Sequence, residues 1–126
     1  MEDPPPIRIL VVDDHADVRA GLRMRLALEP DLLVVGEAPD ARAITDLVAR
    51  TAADVVVMDI VMPGQDGIAA TALLTTVAPD VPVVLLSLFD GKVNRARGRA
   101  AGAAAFIGKH EAERLLVPTL RRLVRR

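Results

Sequence analysis

The stretch Ile7-Arg8-Ile9-Leu10-Val11-Val12-Asp13-Asp14 decides the fold. Five of its first six residues are apolar, four of them β-branched, and the run ends on two adjacent acids. A strand with one face in water alternates apolar and polar residues. A nearly continuous apolar run this short reads as a strand buried on both faces, as in a parallel sheet. The pattern recurs at Leu32–Val35, Val55–Met58 and Val81–Leu86, and more weakly at Ala103–Ile107. Helical periodicity fills the gaps. Val18, Leu22 and Leu26 recur every four residues, and Met24 and Leu28 are expected to widen that apolar face in a helix from about Ala16 to Leu28. Ala43, Ile44, Leu47 and Val48 predict a second helix. Ile68, Ala69, Ala72, Leu73 and Val77 predict a third, ending before Pro79. The fourth, Asp90–Ala101, is a poor helix. Leu116, Leu120, Leu123 and Val124 predict a fifth, with Pro118 awkwardly placed near its start. The class is α/β: a (βα)5 doubly wound, five-stranded parallel sheet with helices on both faces.

The 126 residues amount to one domain, long enough to bury about two-thirds of the surface exposed by the unfolded chain. A hydrophobic content of 52% excludes a disordered chain. No apolar run approaches the roughly 20 residues of a membrane span. The acidic, Pro-rich start (residues 1–6) is unlike a signal peptide and reads as a flexible N-terminus, leaving 7–126 as the domain. These features predict a cytoplasmic chain with no membrane partner. Cysteine is absent, which excludes disulfides and thiolate chemistry. Phe89 and Phe106 are the only Phe, Tyr or Trp residues, too few for base-stacking recognition, so no direct nucleic-acid binding is expected. Residues 1–91 hold six basic against fifteen acidic side chains, and residues 92–126 hold ten against two.

In an open α/β sheet, ligands bind beyond the carboxyl ends of the strands. Asp13 and Asp14 follow the first run, Asp59 the third, Ser87 the fourth and Lys109 the fifth. Any one of these suits a plain strand end or helix cap, and Asp14 could cap the helix beginning near Ala16. Together they put three acids, a hydroxyl and an ammonium on one edge. Clustered carboxylates with spare coordination positions suit Mg²⁺, a lysine offers a point charge to phosphate, and a carboxylate can form an aspartyl phosphate.

Val11-Val12-Asp13-Asp14-His15, Met58-Asp59-Ile60-Val61-Met62-Pro63-Gly64-Gln65-Asp66-Gly67, Leu86-Ser87, Ala101-Gly102-Ala103 and Phe106-Ile107-Gly108-Lys109 carry a resemblance over roughly residues 7–124. They resemble the receiver domain of bacterial two-component response regulators, and the Met62–Gly67 loop is most similar to the NarL/FixJ subfamily. The resemblance implies a flavodoxin-like fold with strand order 2-1-3-4-5. It implies that Asp59 accepts a phosphoryl group from a sensor histidine kinase. Asp14 would bind Mg²⁺ directly and Asp13 through water, with Asp59 and the Val61 carbonyl as further ligands. Lys109 would contact the phosphoryl oxygens. Ser87 and Phe106 would be the switch pair, changing the surface around the fourth helix, fifth strand and fifth helix. By residue type alone Phe106 equally suits core packing. Val61 and Phe89 would flank the path of the hydrolytic water, and both are apolar. The resemblance also implies a helix-turn-helix output domain in the full-length protein, and homodimerisation on phosphorylation. His15 is expected to be capping or solvated. His110 stands where many receivers have proline.

Three rival readings fit less well. A haloacid-dehalogenase-like phosphatase would want a second acid where Val61 stands. A phosphorylation-independent interaction module would tend to lose part of the acid pair, acceptor or lysine. A flavin-binding domain would want a Gly/Ser/Thr-rich loop where Asp13-Asp14-His15 stands. The expected activity is therefore self-modification, with no separate substrate and no enzyme in the ordinary sense. The fourth helix carries one further expectation. It has few apolar residues and an internal Gly98, so it should be short, frayed or displaced, starting after Gly91 at the earliest. At least one of Arg95, Arg97 and Arg99 should lie near the core edge and snorkel outward.

Overall fold

The computed structural model describes residues 3–62, 65–88 and 91–125. Its sheet strands are β1 (Ile7–Val12), β2 (Leu32–Ala38), β3 (Val55–Asp59), β4 (Val83–Ser87) and β5 (Ala105–Gly108). All neighbours pair in parallel, in the order β2-β1-β3-β4-β5. The helices are α1 (Ala16–Ala27), α2 (Ile44–Thr51), α3 (Gly67–Val77), α4 (Lys92–Ala101) and α5 (Ala112–Leu123). A short antiparallel ribbon joins Val61–Met62 to Gln65–Asp66, and a 3-10 turn, Lys109–Glu111, leads into α5.

Side chains alternate across the pleat, so each strand feeds two cores. Leu10, Val12, Val56, Met58, Val83 and Leu85 face Ile44 and Val48 of α2 and Ile68 and Leu74 of α3. Ile9, Val11, Val55, Val57, Val84 and Leu86 face Leu26 of α1 and Leu116, Val117 and Leu120 of α5. The central strands β1, β3 and β4 are covered on both faces, which is why their sequences read as nearly unbroken apolar runs.

Helix α1 is narrower on its apolar side than its sequence suggested. Leu26 is fully buried, but Met24 and Leu28 are 68% and 73% exposed. Met24 lies two positions from both Leu22 and Leu26, so about 200° of helical turn carries it away from the sheet. Leu28 is the C-cap, beyond the last helical residue.

The fourth helix starts at Lys92, after Gly91 as expected, but it runs unbroken for ten residues to Ala101 and is not the short helix expected. Gly98 is the reason. It is the one buried position of α4, and a Cβ there would lie 3.0 Å from Leu85 Cδ1 and 3.6 Å from Phe106 Cδ2. The residue read as a weakness lets the helix seat directly on β4 and β5. Gly102 then ends the helix at φ +103°, a conformation that costs a non-glycine residue about 1–2 kcal/mol. Its position is also crowded, since a Cβ would meet Thr75 Oγ1 at 2.4 Å.

Pro118 lies inside α5, not near its start, because the helix begins at Ala112. The proline removes one i to i−4 bond but is exposed, so its ring and the carbonyl it frees sit on the outer side. Arg121 lies in the last turn of α5. It donates to both carboxylate oxygens of Asp31 (2.8 and 2.9 Å) and to Glu29 (2.6 Å), tying α5 to the α1–β2 loop.

Candidate functional site

The parallel sheet brings all five strand-end residues to one edge. Asp13 follows β1, and its N–H donates to the Ala38 carbonyl at the end of β2. Asp59 is the last residue of β3 and Ser87 the last of β4, and Lys109 follows β5. Asp13, Asp59 and Ser87 are 1%, 5% and 2% exposed, the burial of a site and not of a solvated rim.

Lys109 knits the acids together. Its Nζ lies 3.1 Å from Asp13 Oδ2 and 3.3 Å from Asp59 Oδ2. Burial pushes the Asp59 carboxyl above the usual carboxylate range. Lys109 opposes this, the negative Asp13 adds to it, and the Val61 N–H hydrogen-bonded to Asp59 works against it. Burial alone would lower the Lys109 ammonium, but its hydrogen bond to Asp13 and the charge of Asp59 outweigh that and leave it raised. The result is an acid held partly against its charge beside a cation held firmly in its own.

The loop after Asp59 is fixed by a close approach. Gly67 donates to the Ile60 carbonyl, and a Cβ on Gly67 would fall 2.3 Å from the Asp59 carbonyl oxygen. The α3 N-terminus therefore presses against the end of β3. Asp66 caps that helix, accepting from Ile68 N at 2.8 Å.

Asp14 is not the cap of α1. His15 occupies that position without a side-chain cap bond. Its ring, 58% exposed, leans back so that Nδ1 lies 3.2 Å from both Asp13 Oδ1 and Asp14 Oδ1. Only the Asp13 contact has hydrogen-bond geometry, so Asp14 Oδ1 is buried with no hydrogen-bond partner among the described residues. Asp13, Asp14, His15 and Asp59 offer ligand atoms within 4.8 Å of one another. His15 is a member of this cluster that sequence reasoning set aside, although its adjacency to the acid pair was the available signal.

On the sheet face that packs α4, Phe106 pairs with Leu85, and Ser87 pairs with Gly108 two residues on. Phe106 is half-buried against the α2–α4 core. Arg95 is the arginine at the core edge: its guanidinium lies 4.8 Å from the Phe106 ring centroid, and Nη1 donates to the Phe106 carbonyl. That residue, too, was legible only as one of three candidates. Phe89 lies outside the described residues.

Residues 9–121 match the family described as the response regulator receiver domain. The chain belongs to that family. It is 37% identical over 121 residues to the response regulator MprA of Mycolicibacterium vanbaalenii, covering 96% of this chain and 52% of that protein. It is 42% identical over 89 residues to the transcriptional regulatory protein LiaR of Bacillus subtilis, covering 69% of this chain and 42% of that one. This receiver chain thus spans about half the length of the curated relatives it matches. A protein-glutamate methylesterase of Dechloromonas aromatica matches over 87% of this chain but only 32% of its own length, so its named activity does not transfer. Among solved structures, the receiver domain of the putative response regulator NarL from Mycobacterium tuberculosis is similar with TM-score 0.83 at 30% identity, covering 94% of this chain and 98% of that one. A LuxR-family regulator from Aurantimonas reaches 0.88 at 31% identity, covering 94% and 84%. This is therefore a receiver of two-component signal transduction, a class in which relatives are named as transcriptional regulators. Among the described residues, no helix is long and apolar enough to cross a membrane.

Proposed function

We propose that this receiver is a phosphorylation switch in which Asp59 accepts a phosphoryl group from a sensor histidine kinase. The observation that carries the reading is Lys109 bridging Asp13 and Asp59 at the strand ends. An Asp59 carboxylate oxygen attacks phosphorus, the phosphorus–nitrogen bond of the phosphohistidine breaks, and the electron pair leaves with the imidazole. Lys109 already points its ammonium at the attacking carboxylate, so it is placed to offset charge on the phosphoryl oxygens.

The residues fit a divalent cation. The donors are all oxygens apart from His15, and Asp14 Oδ1 is a buried acceptor that a cation would satisfy. Asp14, Asp59 and the Val61 carbonyl would hold Mg²⁺ directly and Asp13 through water; the ion would supply positive charge against the phosphoryl oxygens. Ser87 offers a buried hydroxyl to the new phosphoryl group, and Phe106 lies behind it on the same sheet face, placed to follow it inward. The altered surface lies around α4, β5 and α5. In the full-length protein it acts on a DNA-binding output domain of the helix-turn-helix kind, with homodimerisation of the phosphorylated form. The chain turns over no separate substrate and works in the cytoplasm.

Acetyl phosphate with Mg²⁺ tests this directly. The protein should gain the mass of one phosphoryl group, and Asp59→Asn should gain none. An Asp59→Asn protein that is labelled to the same extent overturns the assignment.

A further inference from the structure

Helix α4 owes little to apolar burial, since Gly98 is its one buried position and Val93 is largely exposed. Two arginines add polar contacts at its flanks. Arg97 reaches one way, its Nη2 lying 3.2 Å from Asp66 Oδ2 at the α3 N-cap. Arg95 reaches the other way and grips a single residue twice. Its guanidinium lies over the Phe106 ring, and its Nη1 hydrogen-bonds the Phe106 carbonyl oxygen at 3.3 Å. The first contact depends on the ring's negative face, the second on a donor held in a planar fork. On one side the ring meets α4 at Gly98, where the absent Cβ leaves room for it. Nearby, Arg95, Arg99, Phe106 and the alanines at 103–105 line a cleft of about 130 Å³ between α4 and β5.

We propose that Arg95 is a positioning residue for the Phe106 ring. It holds the ring against α4 in the unphosphorylated chain, and inward movement of the ring breaks the cation–π contact. This rests on the switch reading above and adds to it the element that sets the resting position. Ring movement and α4 are thereby coupled through one side chain: when the ring leaves, the guanidinium loses its contact with the ring face and keeps only its hydrogen bond to the Phe106 carbonyl on the β5 side. Lysine would keep the charge but not the planar fork, so it should restore the hold only in part.

The aromatic composition makes the test clean. With two phenylalanines and no Trp or Tyr, fluorophenylalanine labelling gives two fluorine resonances, and Phe89→Leu assigns them. Wild type, Arg95→Gln, Arg95→Lys and Arg97→Gln are compared with and without beryllofluoride and Mg²⁺. In the wild type the Phe106 resonance should move on addition. Arg95→Gln should displace the resonance of the untreated protein toward the treated position, equivalent to about a tenfold shift in the ring's equilibrium. Arg95→Lys should fall between, and Arg97→Gln should leave it in place. Amide hydrogen exchange on α4 accompanies each variant. A wild-type resonance that responds to beryllofluoride but is untouched by Arg95→Gln overturns the role of Arg95 alone. So does a displacement equalled by Arg97→Gln, or one that merely scales across the variants with loss of α4 protection, because either reports general loosening. A wild-type resonance that ignores beryllofluoride sinks the switch reading itself.

Discussion

If Asp59 is the phosphorylated residue, as proposed, Val61 is placed to set the lifetime of that state. It lies two residues past Asp59, its N–H donates to that carboxyl, and its side chain is largely exposed. An apolar group there cannot orient a water for in-line attack on an acyl phosphate. Val61→Asn should therefore shorten the lifetime of the phosphorylated protein, roughly tenfold for a well-placed polar group. Decay of the phosphorylated mass after removal of the donor measures this, and an unchanged decay counts against it. The gathering of Asp13, Asp59, Ser87 and Lys109 was readable from sequence because parallel strands end at one edge, so chain position alone groups them. The ring orientation of His15 and the reach of Arg95 were not readable. Both are set by which rotamer meets a partner, and residue type does not specify that.

Helices hold the glycine that was misread and two whose substitutions should act in opposite directions. Gly21 sits inside α1 with nothing within 4 Å of where a Cβ would be. Gly21→Ala should raise stability by about 0.5–1 kcal/mol through helix propensity. Gly102→Ala must place a side chain at positive φ and against Thr75, so it should lose about 2–4 kcal/mol. Denaturant melts of the two variants, with unchanged m-values, would measure both; a Gly102→Ala protein as stable as the parent would show that α4 ends differently. The same elements mark the limit of pattern reading. Strand runs and the faces of α2 and α3 follow from periodicity. The closeness of α4 to the sheet depends on Gly98 having no Cβ, a matter of interaxial distance that a hydrophobic pattern does not encode. Met24 was misjudged because apolar character was counted without its angle around the helix.

At the scale of the molecule, Arg121 fastens the last helix to the loop between α1 and β2. The Arg121 hydrogen bond holds Asp31 below its usual 3.8, and the Arg121 and Arg25 hydrogen bonds hold Glu29 below its usual 4.5. Groups with depressed folded-state values stabilise the fold above their unfolded pKa and lose that contribution as pH falls through the folded one. The melting-temperature gap between the parent and Arg121→Gln should thus be full at pH 7 and narrow progressively as the pH falls below about 4. These groups are exposed, so the gap should be small and should shrink with added salt. A gap that does not narrow at all as the pH falls below about 4 would mean that the arginine acts through packing.

The same fastening has a topological consequence. Ile7 donates to the Asp31 carbonyl, and Pro4, Pro5, Asp31, Arg121 and Val124 line one shared cavity, so the chain enters and leaves the fold at the same spot. A few glycine and serine residues could join residue 125 to residue 3 without strain, and new ends could be cut in the exposed turn near Pro79 and Asp80. Such a circular permutant would make β4 the first strand while keeping every sheet neighbour. It should fold to the same far-ultraviolet spectrum and still take up one phosphoryl group, because the switch depends on which strands lie side by side and not on the order in which the ribosome delivers them.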